Sequence, residues 1–382
     1  MPIFDQGYQH WSGQLSGHAW RWLAITRHGV RVGMRNRFVR YILFASWVPA
    51  LALVVMLSLW GLLERGSSLT TTFMQYLSAM EPALTADPRG YRVDIWRLSY
   101  SYFLHIELYS SMFMVLLIGP GLISQDLRFN TLPLYFSRPI RRIDYFVGKL
   151  GVIVVFLALV MIVPSVVGYI AGLFFSLDIT IIRDTFAILL GAVAFGLLVS
   201  ISAGALVLAL SCLSRNSRYV ALLWLGLWFV SGVVGTVLQA VDQQQRRWEY
   251  FHAETALASP PEMEPGQTPQ QRRAAFEDWR RARRQANEEF RVAEMGVSAT
   301  DWRPLVSYDS NLARMEQVLL GTDKTWQRLS QLAPDEFGRQ RFLADHEGPQ
   351  YPWYWSAGVL AGLLVISAGI LKFSIKSLDR LK

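Results

Sequence analysis

Six runs of the chain are dominated by apolar residues and contain no Asp, Glu, Lys or Arg. A helix needs about 20 apolar residues to cross the hydrocarbon core of a bilayer. Each run is long enough, provided that 103–107 extends the second one. Soluble proteins rarely bury helices that are charge-free for so long, so the pattern predicts an all-α polytopic membrane protein with six transmembrane helices. The runs are 41–63, 108–125, 150–177, 185–214, 219–241 and 351–371.

The segments between these runs differ in charge, and the difference predicts the orientation of the chain. Four segments are basic, and the segments that alternate with them are neutral or weakly acidic. Short basic loops stay in the cytoplasm, so both termini are predicted to be cytoplasmic. The formal net charge of +8 is then a signal of topology and of contact with lipid headgroups, and no nucleic-acid partner is expected. The basic segments are 1–40, 124–149, 213–218 and 372–382.

The same pattern divides the chain into parts. Before the first run, Trp20, Leu23, Val30, Met34 and Phe38 fall on one side of a helical wheel, which indicates an amphipathic helix at the membrane surface. The predicted parts are a cytoplasmic or interfacial connecting helix in 1–40, spans one to five in 41–241 with a loop at 124–149, an extracytoplasmic helical domain in 242–350, a sixth span in 351–371 and a cytoplasmic tail in 372–382.

The extracytoplasmic insert between the fifth and sixth spans contains one clear helix signal. Thr268 and Gln271 can form a capping box around Pro269, and Gly296 can end the helix. Its apolar face suits the helix bundle, a second copy of the chain or a partner protein, and the pattern does not choose among them. Two shorter helical patterns follow, at Leu312, Met315 and Leu319 and at Trp326, Leu329 and Leu332.

Motifs of soluble enzymes are absent from the sequence. It has no G-x-x-x-x-G-K-[ST], H-E-x-x-H or G-x-S-x-G motif, so we expect no nucleotide site, metal site or catalytic residue on this chain. His105 and Glu107 are two residues apart, which on a helix points them about 160° from each other and makes them poor joint ligands. We expect both to be solvated at the membrane interface.

The most distinctive segment is 123–149, ISQDLRFNTLPLYFSRPIRRIDYFVGK. Asp126 can cap a short helix, and Ser137, Arg138 and Pro139 are typical of a second helix start that leads into the third span. From the residues alone, the segment is either a tethered interfacial turn or a docking surface for a cytoplasmic subunit.

This segment resembles the cytoplasmic loop of type 2 ATP-binding-cassette (ABC-2) exporter permeases. In that family an acidic residue ends the second span, followed by G/N-T-L, S-R-P-I-x-R, an aromatic residue and a lysine. The stretch 25–41, ITRHGVRVGMRNRFVRY, also resembles the family's connecting helix. The long insert 242–350 departs from small members and leaves the substrate open. The matching residues are Asp126, Asn130, Thr131, Leu132, Ser137, Arg138, Pro139, Ile140, Arg142, Tyr145 and Lys149.

The resemblance implies partners and roles. It implies a permease paired with a second copy or a paralogue, seated on two cytoplasmic ATPase subunits that bind ATP and Mg, in a bacterial inner membrane. The loop at 124–149 would act as a coupling helix in the ATPase groove. The coupling residues would be Asp126, Asn130, Thr131, Arg138, Pro139, Arg141, Arg142 and Lys149, and the connecting helix would present Arg27, Arg31, Arg35 and Arg37.

Three other functions are compatible with parts of the pattern. A non-exporting module of the same type would anchor or energise cell-envelope partners through the insert, and the absence of substrate-stimulated ATPase activity would distinguish it from an exporter. A lipid-modifying membrane enzyme would need a polar constellation within the spans, where the sequence offers mostly isolated Ser and Thr. An ion channel would need rings of charge or exposed carbonyls along a pore.

Overall fold

A computed structural model describes residues 20–80, 82–136, 141–176, 180–253, 259–261, 268–298, 300–333, 336–346 and 351–376. Within these ranges the regular structure is helical and contains no strand. Six helices are long and apolar enough to cross a membrane, which confirms the predicted all-α polytopic fold. They are Arg37–Glu64, Arg92–Arg128, Arg142–Phe175, Thr180–Leu213, Ser217–His252 and Trp353–Ser374. The orientation of the termini stays a prediction.

Several spans are built from two helical pieces, and shorter helices join them. Two π-helical segments, Ala158–Ile162 and Gly226–Val230, interrupt the third and fifth spans. In chain order the helices are α1 Arg21–Gly33, α2 Arg37–Ala45, α3 Trp47–Glu64, α4 Thr71–Met80, α5 Pro82–Ala86, α6 Arg92–Ile118, α7 Gly121–Arg128, α8 Leu132–Phe136, α9 Arg142–Leu157, α10 Val163–Phe175, α11 Thr180–Leu213, α12 Ser217–Leu225, α13 Ser231–Ala253, α14 Pro269–Ser298, α15 Tyr308–Leu320, α16 Thr322–Ser330, α17 Glu336–His346 and α18 Trp353–Lys376.

The bundle has two ends, named here by the segments that leave them. The loop end is where 129–141 joins the second and third spans, and the insert end is where 242–350 leaves the fifth span. At the insert end, Arg92 of α6 holds Glu64 of α3 through its Nε, 2.9 Å from one carboxylate oxygen, and its terminal nitrogen, 2.5 Å from the other. The same guanidinium approaches Thr180 of α11. Three spans are therefore tied together at this end.

The second span begins earlier than the charge-free run suggests, at Arg92, and includes charged residues. The carboxylate of Asp94 is buried, and it accepts hydrogen bonds from the hydroxyl of Thr325 at 2.9 Å and the guanidinium of Arg328 at 3.0 Å. Because these partners come from α16, the charge near the helix start is compensated and the helix continues through it.

The expectation that Glu107 is solvated at the interface is wrong. Glu107 is fully buried, whereas His105 is exposed on another side of α6. Glu107 lies 15 residues after Arg92, which at 1.5 Å per residue is about 22 Å along the helix. Among the described residues, no donor meets hydrogen-bond geometry with either carboxylate oxygen of Glu107. An ionisable group at such a depth marks a region where function is expected.

Helix α1 runs beside α9, in the same direction, along the first half of the third span. The hydroxyl of Thr26 donates a hydrogen bond to the carbonyl of Gly148 at 2.9 Å. A Cβ at Gly148 would lie 2.9 Å from the backbone carbonyl oxygen of Trp22, so only glycine permits this approach. The predicted amphipathic helix therefore has a packing partner within the bundle, and its placement at the membrane surface stays a prediction.

Part of the insert packs deep among the spans. The hydroxyls of Tyr308 and Ser202 are 2.8 Å apart, and the indole of Trp228 donates to Asp309 at 2.8 Å. Ser202 lies 22 residues after the first residue of α11, or about 33 Å along it. Backbone at such a depth is tolerated where it is buried in protein. Helix α15 therefore starts between the fourth and fifth spans.

Helix α15 then rises toward the insert end. Its Glu316 accepts a hydrogen bond from the hydroxyl of Ser101 in α6 at 2.8 Å. Near its last turn, the carbonyl oxygen of Leu319 lies so close to Gly191 that a Cβ there would overlap it, so α15 touches the backbone of α11. The apolar face predicted at Leu312 and Leu319 thus covers the bundle itself.

Raising the pH is expected to destabilise the packing of α15 between the spans. Burial raises the pKa of Glu316 from 4.5 to about 8, and the hydrogen bond from Ser101 opposes this shift. Between these values the folded protein keeps a proton that the unfolded chain has released, so stability falls as pH rises, by about 1.4 kcal/mol per unit. Melting temperatures in detergent between about pH 6 and pH 9 measure this slope. A Glu316→Gln variant should melt with a flatter profile, and an equal slope in that variant would contradict the assignment.

Helix α14 starts where the capping box predicts. The Thr268 hydroxyl accepts from the amide of Gln271 at 3.4 Å, and the Gln271 side chain accepts from the amide of Thr268 at 2.9 Å. The helix ends at Ser298, two residues beyond the predicted stop at Gly296. Its Phe290 packs against Phe251 in the extension of α13, with ring centroids 6.3 Å apart.

Candidate functional site

The approach to the loop between the second and third spans is set by a proline. Pro120 has no amide hydrogen, and the helix breaks there into α6 and α7. The freed groups are satisfied by Ser211 of α11, whose hydroxyl accepts from the amides of Ile123 at 3.1 Å and Ser124 at 2.9 Å and donates to the carbonyl of Pro120 at 2.9 Å. The fourth span therefore holds the start of α7 by its backbone.

Asp126 is the centre of the site. Its carboxylate accepts hydrogen bonds from the hydroxyl of Tyr145 at 2.6 Å and the hydroxyl of Thr131 at 3.2 Å, and it pairs with the ammonium of Lys149 at 2.6 Å. Tyr145 and Lys149 are one turn apart on α9, and both reach back to α7. The second and third spans are therefore joined by one charged node, which we call the Asp126 node (Asp126, Thr131, Tyr145 and Lys149).

Aromatic rings shield the ammonium of Lys149. It lies 5.4 Å from the ring centroid of Tyr145 and 5.9 Å from that of Tyr135, and the lysine side chain is 11% exposed. Cations over aromatic faces are attracted to the ring quadrupole, more strongly where water is excluded. Burial and the nearby Asp126 charge raise the pKa of the Tyr135 hydroxyl. Tyr135 belongs to α8, so the loop itself contributes to the node.

The turn after α7 explains the asparagine of the motif. Asn130 has a φ of 57°, in the left-handed region, and the amide of Thr131 donates to the carbonyl of Asp126 at 3.0 Å. This is a Schellman ending, whose left-handed residue is usually glycine or asparagine. The alternation of Gly and Asn at this position in the motif follows from the backbone conformation.

Substitutions at Asn130 are expected to follow that conformation. Asn130→Gly should keep the stability of the protein, whereas Asn130→Val should cost about 1–2 kcal/mol, because a β-branched residue resists the left-handed region. Thermal unfolding of the purified protein in detergent measures both changes. Equal stability of the glycine and valine variants would show that the turn does not hold this conformation in solution.

The opposite face of the segment is exposed and basic. Arg128 at the end of α7 and Arg141 and Arg142 at the start of α9 are exposed, as is the apolar side chain of Ile143. Asp144 accepts from the backbone amide of Arg141 at 3.1 Å, which caps α9 and positions the two arginines before it. The segment thus has one face anchored in the bundle and one face available to a partner.

The structure brings together only some of the residues that the sequence singles out. Asp126, Thr131 and Lys149 meet in the node, Asn130 shapes the turn, and Arg141 and Arg142 lie on the exposed face. Arg138 and Pro139 lie outside the described residues. The arginines of the connecting helix, Arg27, Arg31, Arg35 and Arg37, are all exposed. Their roles and those of the loop residues stay predictions.

Three residues that hold this site together are not indicated by the sequence pattern. Ser211 and Thr26 were ordinary small polar residues in apolar surroundings, and Tyr135 sat among loop aromatics without a marked position. The signal available was indirect, since Pro120 frees backbone groups that some neighbour must satisfy. No group of three or more His, Cys, Asp or Glu that could hold a metal occurs in the described part of the chain.

Comparison with known proteins agrees with this architecture. No curated protein matches the chain. The family model described as ABC-2 family transporter protein matches residues 40–253, which extend over the first five membrane spans and the loop at 124–149. Because that match covers more than half of the 382 residues, the chain belongs to the ABC-2 transporter family and is an ABC-type membrane permease.

Proposed function

We propose that this chain is the membrane-spanning subunit of an ABC exporter, driven by ATP that separate cytoplasmic subunits hydrolyse. In this proposal two copies, or one copy and a paralogue, pair in a bacterial plasma membrane above two ATPase subunits. Both termini and the loop end face the cytoplasm. The observation that carries the proposal is the two-faced segment at 124–149, whose exposed basic side is joined through the Asp126 node to the spans.

The contacts of that segment give a route for mechanical coupling. An ATPase that moves α8 and the start of α9 displaces the Asp126 node, which belongs to the second and third spans. Ser211 extends the connection to the fourth span, and Thr26 extends it to α1. Such a connection can drive transport if it biases two arrangements of the bundle. ATP and Mg would be held by the partner, and this chain would supply the docking surface and the moving helices.

Co-purification tests the proposal. The tagged full-length chain, extracted from its native host in mild detergent, should bring down a soluble subunit that carries a P-loop. Reversing Arg138 and Arg142 to Glu should reduce its recovery and the coupled ATPase activity at least about tenfold, since two attractive contacts become repulsive ones. The matched control is Arg272→Glu/Arg273→Glu, two exposed arginines of α14. Recovery of the chain alone, or equal losses in the control, would overturn the proposal.

A second candidate is a non-exporting module that anchors envelope proteins through the insert. The observation in its favour is a basic and aromatic surface on α14. Arg280 lies 4.6 Å from the ring centroid of Phe276, and Arg283 lies 4.9 Å from that of Trp279. Stimulation of the ATPase by a transported substrate favours the exporter. A stable extracytoplasmic partner on α14, without such stimulation, favours the module.

A further inference from the structure

Three arginines meet at the loop end, away from the Asp126 node. Arg128 closes α7, and Arg215 and Arg218 flank the start of α12, where the fourth span turns into the fifth. Together with Asn216 and Ser217 they line an open cavity of about 470 Å³. The cavity therefore lies where the second, fourth and fifth spans reach the membrane surface.

The charge of this cavity is not compensated within the described residues. Within the described residues, none of the three guanidinium groups forms an ion pair. Their one polar or ring contact in that part of the chain is between Arg128 and the ring of Phe129, 5.5 Å from the ring centroid. Three like charges in one cavity repel each other unless an anion is bound among them. Planar guanidinium groups bind phosphate oxygens with paired hydrogen bonds.

The surroundings of the cavity distinguish a lipid from a soluble anion. Phe129, Leu213 and Tyr219 adjoin or closely flank the arginines in sequence, and all three side chains are exposed. A surface that combines cations with exposed apolar side chains suits the boundary between headgroups and acyl chains. The hydroxyl of Ser217, which also lines the cavity, adds a donor for an anion.

We propose that Arg128, Arg215 and Arg218 form a binding site for the phosphate of an anionic phospholipid. The phosphate sits among the guanidinium groups, and the acyl chains lie against Phe129, Leu213 and Tyr219. With the loop end facing the cytoplasm, as proposed above, the lipid belongs to the inner leaflet. The site would hold the ends of three spans together through one bound molecule.

Lipid titration of the delipidated full-length chain, followed by native mass spectrometry, tests this site. Phosphatidylglycerol is expected to bind at least about tenfold more tightly than phosphatidylcholine. Arg215→Gln should weaken phosphatidylglycerol binding about fivefold, and the triple change to Gln at Arg128, Arg215 and Arg218 about 100-fold, because each basic residue adds to the attraction of an anionic headgroup. Arg215→Lys, which keeps the charge, should retain most of the binding.

A control and competing anions decide the outcome. Arg40→Gln removes an exposed charge from the start of the first span, outside the cavity, and should leave phosphatidylglycerol binding within twofold of the wild type. Equal binding by the wild type and the triple variant overturns the proposal. Displacement of the lipid by equimolar inorganic phosphate also overturns it and shows a site for free anions. If the triple variant binds lipid as the wild type does but no longer captures the ATPase, the lipid-site proposal is overturned in favour of a second docking surface for the ATPase.

Discussion

Asp126→Ala is expected to destabilise the protein by about 3–5 kcal/mol, because it leaves the shielded ammonium of Lys149 without its counter-ion. The lysine has few alternatives, since its head lies between Tyr135 and Tyr145 and is largely excluded from water. The substitution also removes the acceptor of the Tyr145 and Thr131 hydroxyls. Thermal unfolding in detergent should show a large fall in melting temperature.

A double variant separates the cost of the orphan charge from the function of the node. Asp126→Leu/Lys149→Met removes both charges and should recover most of the stability, because well-packed apolar residues often replace a buried ion pair without loss. If the node transmits motion, this stable double variant should still lack coupled ATPase activity. A double variant that is both stable and fully coupled would show that the node serves only stability.

Arg92→Met is expected to cost a similar amount, about 3–5 kcal/mol, at the other end of the bundle. The Glu64 and Arg92 side chains are 5% and 4% exposed, so the substitution leaves the Glu64 carboxylate buried without a counter-ion. Arg92→Lys should recover only part of the loss, because an ammonium does not reproduce the forked contact with both oxygens. Chemical or thermal unfolding of the wild type and the two variants should rank their stabilities as wild type, then Arg92→Lys, then Arg92→Met.

The chain offers a matched control for this experiment. Arg281 and Asp278 pair at 2.6 Å on α14, but their side chains are 70% and 69% exposed. Removing that pair with Arg281→Met should change stability by less than about 1 kcal/mol, since water screens exposed pairs. If Arg92→Met proved as mild as the control, the three helices would not depend on this contact.

The number of spans could be predicted from the sequence because lipid imposes a strict rule. A spanning helix must be apolar over its length, and this requirement is local in the chain. The start of α14 was also predictable, since a capping box involves residues only three apart. The loop motif singles out Asp126 and Lys149 by resemblance, and the ion pair between them gives a physical reason for both residues.

The remaining features depend on partners far apart in the chain. Asp94 looks like a helix-ending charge until Arg328 and Thr325 are placed beside it, more than 200 residues later. The periodicity of α15 predicted an amphipathic helix but carried no information about what its apolar face covers. The sequence pattern places Glu107 at the interface because a charge near the end of an apolar run usually indicates the end of a span. In each case the deciding contact is tertiary and leaves no periodic trace.

The position of α15 between the spans affects the order in which the protein is assembled in the membrane. The helix packs on α6 and α11, yet it is synthesised after the fifth span and after α14. In the proposed orientation, α14 and the rest of the insert must first be translocated, and α15 must then return between helices that are already in the bilayer. Until it does, Ser101, Ser202 and Gly191 face an unfilled groove. Completion of this bundle is therefore a late step of biogenesis, and mutations in α15 should act on yield before they act on transport.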